Sequence, residues 1–280
     1  PQGRPPGITP AEERSGQILL CQARALSDLV VEARLIASVG EVDIKTLPCR
    51  IAQLTLLAPD VMQVFLRLPA VERLRFQPGQ YLDILLEGDR RRSFSIASPP
   101  HDSELLELHV RRVAGGGFTE QLFNANALGT LLRIEGPIGQ FIYRPGTSAL
   151  LMIAGGTGFA PLKSMLRHIL EHGIERPIHV YWGARTSQDL YEEARLLEWA
   201  RRYPQLQFTA VLSEASQTGA AHHRLGWVHE QVLEDHPDLQ ARDIYAAGPP
   251  AMIEAIRASF PGRGASVDRL YFDSFDYAPR

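Results

Sequence analysis

The chain has 280 residues, 45% hydrophobic and 22% charged, with a formal net charge of -3 at pH 7. That length suits two domains, the composition is that of an ordinary globular protein, and so small a charge excludes a nucleic-acid or membrane-surface field. No apolar run approaches the ~20 residues that span a bilayer, and the Pro/Gly-rich opening lacks the apolar core of a signal peptide.

Residues 1–16 read as a frayed lead-in. A short strand, a turn near Leu26-Ser27-Asp28 and a second strand follow over 17–32. Cys21 in the first of these reads as a buried small hydrophobe. It and Cys49 are the only cysteines, too few for a disulfide framework or a four-thiolate metal site, and consistent with a reducing cytoplasm. Residues 33–46 are linker-like. From 47 to 145 the pattern is short strands at 50–55, 61–68, 81–86, 93–98, 105–113 and 131–135, separated by Pro and Gly clusters, with a helical piece at 118–125. This pattern predicts an antiparallel barrel.

The character changes over 146–280. Residues 149–154 form a continuous apolar run, as in a parallel strand buried on both faces. Gly155-Gly156-Thr157-Gly158 follows, and Pro161 opens a helix over 162–172. Strands at 178–182, 208–212 and 244–247 then alternate with helices at 190–203, 228–234 and 251–259. Strand alternating with helix predicts a doubly wound parallel sheet.

Three stretches carry candidate chemistry. In a strand, Arg92, Phe94 and Ile96 point one way and Ser93, Ser95 and Ala97 the other. Guanidinium, ring and hydroxyl suit a planar cofactor bearing phosphate; an exposed basic edge fits the same residues. Gly155 to Gly158 lies between a buried strand and a helix, where glycine admits a ligand to the backbone and the helix start favours an anion. It is neither a phosphate-binding Walker loop nor G-x-G-x-x-G, and a tight turn also needs glycine. Gly248-Pro249-Pro250 ends a later strand, on the rim where open sheets bind ligands. His222-His223 reads as an exposed loop pair, with no third ligand spaced for a metal.

With both halves in view, the chain resembles the ferredoxin-NADP reductase superfamily, and within it oxygenase reductase components and CDP-6-deoxy-Δ3,4-glucoseen reductase-like proteins. The likeness runs from about Gln17 to Phe275. It implies a Greek-key flavin-binding barrel followed by a nicotinamide-nucleotide domain. Arg92-Ser93-Phe94-Ser95 matches the R-x-[YF]-[ST] flavin motif, in which Arg holds phosphate, the aromatic covers the isoalloxazine and Ser lies near N5. Ile96 continues that strand. His109-Val110-Arg111 resembles the next flavin-lining strand, and Gly116-Gly117-Phe118-Thr119 the phosphate-binding turn, with Thr119 as hydroxyl donor. Gly156-Thr157-Gly158, with Pro161, matches the nicotinamide-nucleotide motif G-[TS]-G-x-x-P. Arg185 and Tyr191 match the elements bordering the dinucleotide. Gly248-Pro249 matches Y-x-C-G-P, with Ala247 in the place of Cys. Asp273 and Phe275 match the family's end, where an acid pairs with the Ser near N5 and an aromatic covers the ring.

The resemblance implies a flavin-dependent NAD(P)H oxidoreductase that passes hydride to bound flavin and electrons onward. The acceptor is an iron-sulfur protein, an oxygenase component or a small molecule. A free-flavin reductase and a non-catalytic electron-transfer subunit are the alternatives. FAD is expected rather than FMN. Ser213 and Glu214, after the strand at 208–212, lean the reading towards NADH, since an acid suits a ribose 2′-hydroxyl and repels a 2′-phosphate; Arg224 argues the other way. The segment around Cys21 resembles the end of a plant-type [2Fe-2S] ferredoxin domain. One thiolate is not a cluster site, because the C-x₄-C-x₂-C run is absent. A truncated ferredoxin domain is therefore expected over 1–46, and [2Fe-2S] only with upstream sequence.

Overall fold

The computed structural model describes residues 43–124, 126–214 and 222–275, together with 13–16, 18, 26–28 and 30. Cys21 and the strand pair expected around it lie outside the described residues.

The first half is a six-stranded antiparallel sheet: β1 (Lys45–Ala58), β2 (Val61–Arg67), β3 (Tyr81–Leu85), β4 (Arg91–Ser95), β5 (Leu105–Arg111) and β6 (Leu131–Ile138). The strand order is β4-β3-β6-β1-β2-β5. An Ile96–Leu108 bridge joins the end of β4 to β5 and closes the sheet on itself, which removes the open edges. β1 is longer than the 50–55 expected. Its first half pairs with β6 and its second with β2, and the alternation of Leu47, Cys49 and Ile51 into the core continues the strand backwards. Burial pushes the Cys49 thiol up to about 12, so it is an inert core residue. A single turn of helix, α1 (Phe118–Gln121), replaces the longer piece expected over 118–125.

The second half is a six-stranded parallel sheet of β7 (Ala149–Gly155), β8 (Ile178–Ala184), β9 (Leu206–Leu212), β10 (Arg224–Leu225), β11 (Arg242–Gly248) and β12 (Leu270–Ser274). The helices are α2 (Phe159–Glu171), α3 (Glu193–Arg202), α4 (Val228–Asp235) and α5 (Pro250–Ser259). Leu151, Met152, Ile153 and Ala154 are fully buried, as their unbroken apolar run requires between two helix layers. Each larger side chain contributes about 1.5–3 kcal/mol. Helix α2 starts three residues before the expected 162. Pro161 sits inside its first turn, where a missing N–H costs nothing. The two-residue strand β10 was not legible in the sequence.

Strand order is β10-β9-β8-β7-β11-β12. The chain therefore runs outward from β7 on one side and returns to its other side at β11. This reversal is the switch point where open α/β sheets form a crevice, and both glycine turns end the strands that flank it. The halves pack firmly. Phe141, from the barrel's exit, stacks edge-on against Tyr245 at 5.9 Å, Tyr245 Oη accepts from the Arg144 amide at 2.9 Å, and Ser164 Oγ donates to the Ser98 carbonyl at 2.7 Å. No helix among the described residues is long and apolar enough to cross a membrane.

Candidate active site

A cavity of about 410 Å³ opens along the seam between the halves. Arg92, Ser93, Phe94 and Ser95 of β4 line it, as do His109 and Arg111 of β5. Gly116 and Thr119 close one end, and Thr157, Asp273 and Phe275 come from the parallel domain. Phe94 leans on Phe118, ring centroids 6.0 Å apart. The neighbouring Arg91 is tied to Glu135, with Asp83 at 3.7 Å. Among the described residues Arg92 bonds only the Arg91 carbonyl, at 2.8 Å, which leaves most of its donors to offer a ligand.

Three predicted flavin residues stand elsewhere. Ile96 and Val110 are fully buried in the barrel core: Val110 alternates with the cavity-lining His109 and Arg111, and Ile96 lies past the end of β4, where its bridge to Leu108 closes the barrel. Gly117 is outside the lining and supplies a φ of 47° at the turn into α1. The Thr119 hydroxyl lines the cavity but is engaged: it donates to the Val113 carbonyl at 3.5 Å and accepts the Val113 amide at 3.2 Å. It fastens the turn rather than standing free as a donor. A Cβ on Gly116 would sit 2.5 Å from that hydroxyl.

Ser95 and Asp273 lie 178 positions apart in sequence, and both line this cavity. Burial pushes the Asp273 carboxyl up to about 6, against the opposing pull of the nearby Ser95 hydroxyl. β12 pairs with β11 so that Asp273 lies beside Ala247. The amide of Phe275 donates to the Gly248 carbonyl at 2.9 Å, which fixes the chain as it turns towards the barrel.

A second hollow, of about 220 Å³, continues from the first across the carboxyl ends of β7, β8 and β11. Arg111, Thr157 and Phe275 line both. Gly156, Arg185, Ser213 and Pro249 line the second. Gly156 has a φ of 54°, and its carbonyl accepts from the Trp182 indole at 3.0 Å. Gly158 and Gly248 serve packing instead. A Cβ on Gly158 would lie 1.9 Å from the Ala247 carbonyl, and one on Gly248 would lie 2.9 Å from Gly155 Cα. Pro161 is buried in α2 and Glu214 is exposed, and neither lines the hollow. Arg224 is held by Asp235 at 2.7 Å.

Tyr191, expected beside the dinucleotide, is instead in the seam. Its hydroxyl bonds His109 Nδ1 at 3.1 Å and its ring meets Trp182 edge-on at 4.9 Å. It belongs to a buried polar network that the sequence did not reveal. Lys163 Nζ, on α2, donates to Glu107 Oε1 at 2.8 Å and to Glu192 Oε1 at 2.7 Å. His109 Nε2 bonds Glu107 Oε1 at 3.0 Å, and Gln63 donates to the same carboxylate. Burial raises the Glu107 carboxyl, but His109 and Lys163 outweigh it and hold the group well below the usual carboxylate range. The network crosses from the barrel to the parallel domain directly behind His109. His222 and His223 also gain a partner unseen in sequence, both bonding Glu193 Oε1 at 3.0 and 2.7 Å.

Arg111 tests whether an anionic cofactor fits. Its Nε and Nη2 are buried without a hydrogen-bond partner, although Asp60 at 3.3 Å and Asp189 at 3.7 Å balance its charge. Buried donors in native proteins are nearly always satisfied. Phosphate oxygens at the junction of the two hollows would meet these two, and the aromatic-lined cavity suits a planar ring.

Residues 48–143 match the Oxidoreductase FAD-binding domain family and residues 152–258 the Oxidoreductase NAD-binding domain family. The CDP-6-deoxy-L-threo-D-glycero-4-hexulose-3-dehydrase reductase of Yersinia pestis is 36% identical over 270 residues, covering 96% of this chain and 80% of its own. Reductase component 1 of terephthalate 1,2-dioxygenase from Comamonas sp. is 33% identical over 266 residues, 95% of this chain and 79% of that protein. Among solved structures, the Amycolatopsis cytochrome P450 reductase superposes with a TM-score of 0.79 at 34% identity, covering 95% of this chain and 80% of that one.

Proposed function

The chain belongs to the ferredoxin-NADP reductase superfamily and is a flavin-dependent NAD(P)H oxidoreductase, and within that function we propose the roles of its residues, its donor and its acceptor. FAD occupies the larger cavity and the nicotinamide nucleotide the smaller. Bound there, the flavin would supply the hydride-accepting chemistry, with nicotinamide as donor and an acceptor to receive the electrons.

The protein's own part is binding and electrostatics. Arg92 and Arg111 hold phosphate groups by charge-assisted hydrogen bonds. Phe94 and Phe275 cover the ring. Ser95 and Asp273 share a proton at Asp273 Oδ, and so set the hydrogen bonding offered to the reducible edge of the flavin. Gly156, Arg185, Ser213 and Pro249 receive the dinucleotide. NADH is the donor, since Arg224 is occupied by Asp235 and Glu214 remains exposed at the end of β9. The acceptor is an iron-sulfur protein or an oxygenase component, and the name of the Comamonas relative, a dioxygenase reductase component, supports the latter. Scarce cysteine suits the cytoplasm.

The observation that carries this reading is the continuity of the two hollows through Arg111, Thr157 and Phe275. A hydride donor and a flavin can meet only where their sites join. Stopped-flow mixing of the FAD-loaded protein with NADH tests it. Rapid bleaching of the flavin is expected. A flavin that stays oxidised under NADH and NADPH alike would overturn it.

A further inference from the structure

A cluster of three histidines lies outside both hollows. His168 is in the last turn of α2 and His172 caps its C-terminus four residues on, with ring centroids 4.4 Å apart. His101 arrives from the barrel, in the turn between β4 and β5, and its centroid is 4.7 Å from that of His172 and 6.1 Å from that of His168. One nitrogen from each ring lies within 4.8 Å of the other two. We propose that His101, His168 and His172 form a binding site for a divalent transition-metal ion of the zinc class, which clips the barrel to the parallel domain.

The hydrogen bonds behind the rings argue for ligation. His101 Nε2 bonds Glu171 Oε2 at 2.5 Å, and His172 Nδ1 bonds the His168 carbonyl at 2.8 Å. A metal-ligating histidine characteristically gives its other ring N–H to a carboxylate or a carbonyl, which fixes the tautomer and aims the lone pair. Here that leaves His101 Nδ1 and His172 Nε2 for the ion. His168 Nδ1 is buried without a hydrogen-bond partner. The nearby cation does not oppose the ion. Arg167 is neutralised by Glu171 at 2.7 Å and Asp102 at 2.9 Å.

The ligand set selects the metal. Imidazole suits Zn²⁺, Ni²⁺, Cu²⁺ and Co²⁺ rather than Mg²⁺ or Ca²⁺. Three nitrogens with Zn–N bonds of about 2.0–2.1 Å complete three corners of a tetrahedron. His101 and His172 are exposed, so the ion enters from solvent and water takes the fourth corner. None of the three histidines lines either hollow, so the ion acts on the domain seam.

The test uses the full chain carrying its flavin, dialysed against a chelator and titrated with Co²⁺ alone. One equivalent should bind with the intense visible bands of a four-coordinate ion. His168→Ala and His172→Gln should each weaken binding at least ~100-fold, and Glu171→Gln about 10-fold, as outer partners do, with flavin absorbance unchanged as the folding control. Zn²⁺ should raise the Tm of the parent protein and leave that of His172→Gln unmoved. A pale octahedral Co²⁺ spectrum would overturn the site. So would binding that survives both histidine substitutions, or binding lost in His222→Ala, which maps to the Glu193 cluster, and retained in His168→Ala.

Discussion

Ser95, at the end of a barrel strand, and the buried Asp273, on the last strand of the parallel domain, line one cavity, and the Ser95 hydroxyl draws the Asp273 carboxyl down against the effect of burial. One polar pair thus spans the seam at the flavin cavity. Ser95→Ala should keep the flavin bound and slow its reduction by NADH about 10–100-fold, the worth of a hydrogen bond to a charged group. Pre-steady-state reduction reads this directly, and a variant reduced as fast as the parent would remove Ser95 from the reacting edge.

Asp273 titrates at about 6, raised by burial from an ordinary 3.8. The rate of flavin reduction should inflect near that pH and lose the inflection in Asp273→Asn. Stability follows with a definite sign. The native carboxyl binds its proton more tightly than the unfolded chain does, so this group favours folding most at low pH, and the gain is lost as pH rises from 3.8 to about 6. Urea midpoints across that window should fall for the parent and lose that component in Asp273→Asn.

Arg92 makes a single bond, to a backbone carbonyl, while Arg91 beside it is paired with Glu135. Arg92→Ala should therefore weaken flavin binding about 10–100-fold, and Arg91→Ala much less. Equilibrium titration of FAD into the two flavin-free variants separates them. Equal losses would mean that phosphate is held elsewhere.

Lys163 bridges Glu107 and Glu192 in the buried seam. Lys163→Met strands two carboxylates without their cation, which should cost about 3–5 kcal/mol in denaturant unfolding. Because Glu107 is held low by His109 and Lys163, its contribution in the parent is present above the ordinary carboxylate range and fades only as pH falls well below it. A loss under ~1 kcal/mol would show the network to be a packing feature rather than an inter-domain lock.

Glu214→Ala should improve the kcat/KM for NADPH relative to NADH several-fold, the expected gain from removing a like charge near a 2′-phosphate. An unchanged ratio would leave the exposed Glu214 without a part in donor choice.

The sequence by itself determined the plan of an antiparallel barrel followed by a parallel α/β sheet. The Pro- and Gly-punctuated short strands, and the unbroken run from Ala149 to Ala154, follow from local periodicity and burial, which single segments express on their own. Arg92, Ser95, Gly156 and Asp273 stood out because each belongs to a short contiguous stretch that resembles a family motif. Only the tertiary structure decided which of the motif residues line a cavity. Val110 went to the core because a strand has two faces and its neighbours His109 and Arg111 took the cavity side, and Ile96 because its bridge to Leu108 closes the barrel there. Gly158 and Gly248 are glycines because β7 and β11 press together at the switch point. Lys163 meets Glu107 and Glu192 from 56 and 29 positions away, and the three-histidine cluster brings His101 to His172 across 71 positions. Buried charge is stable only when its partners are delivered by packing, and no local pattern announces where packing will deliver them.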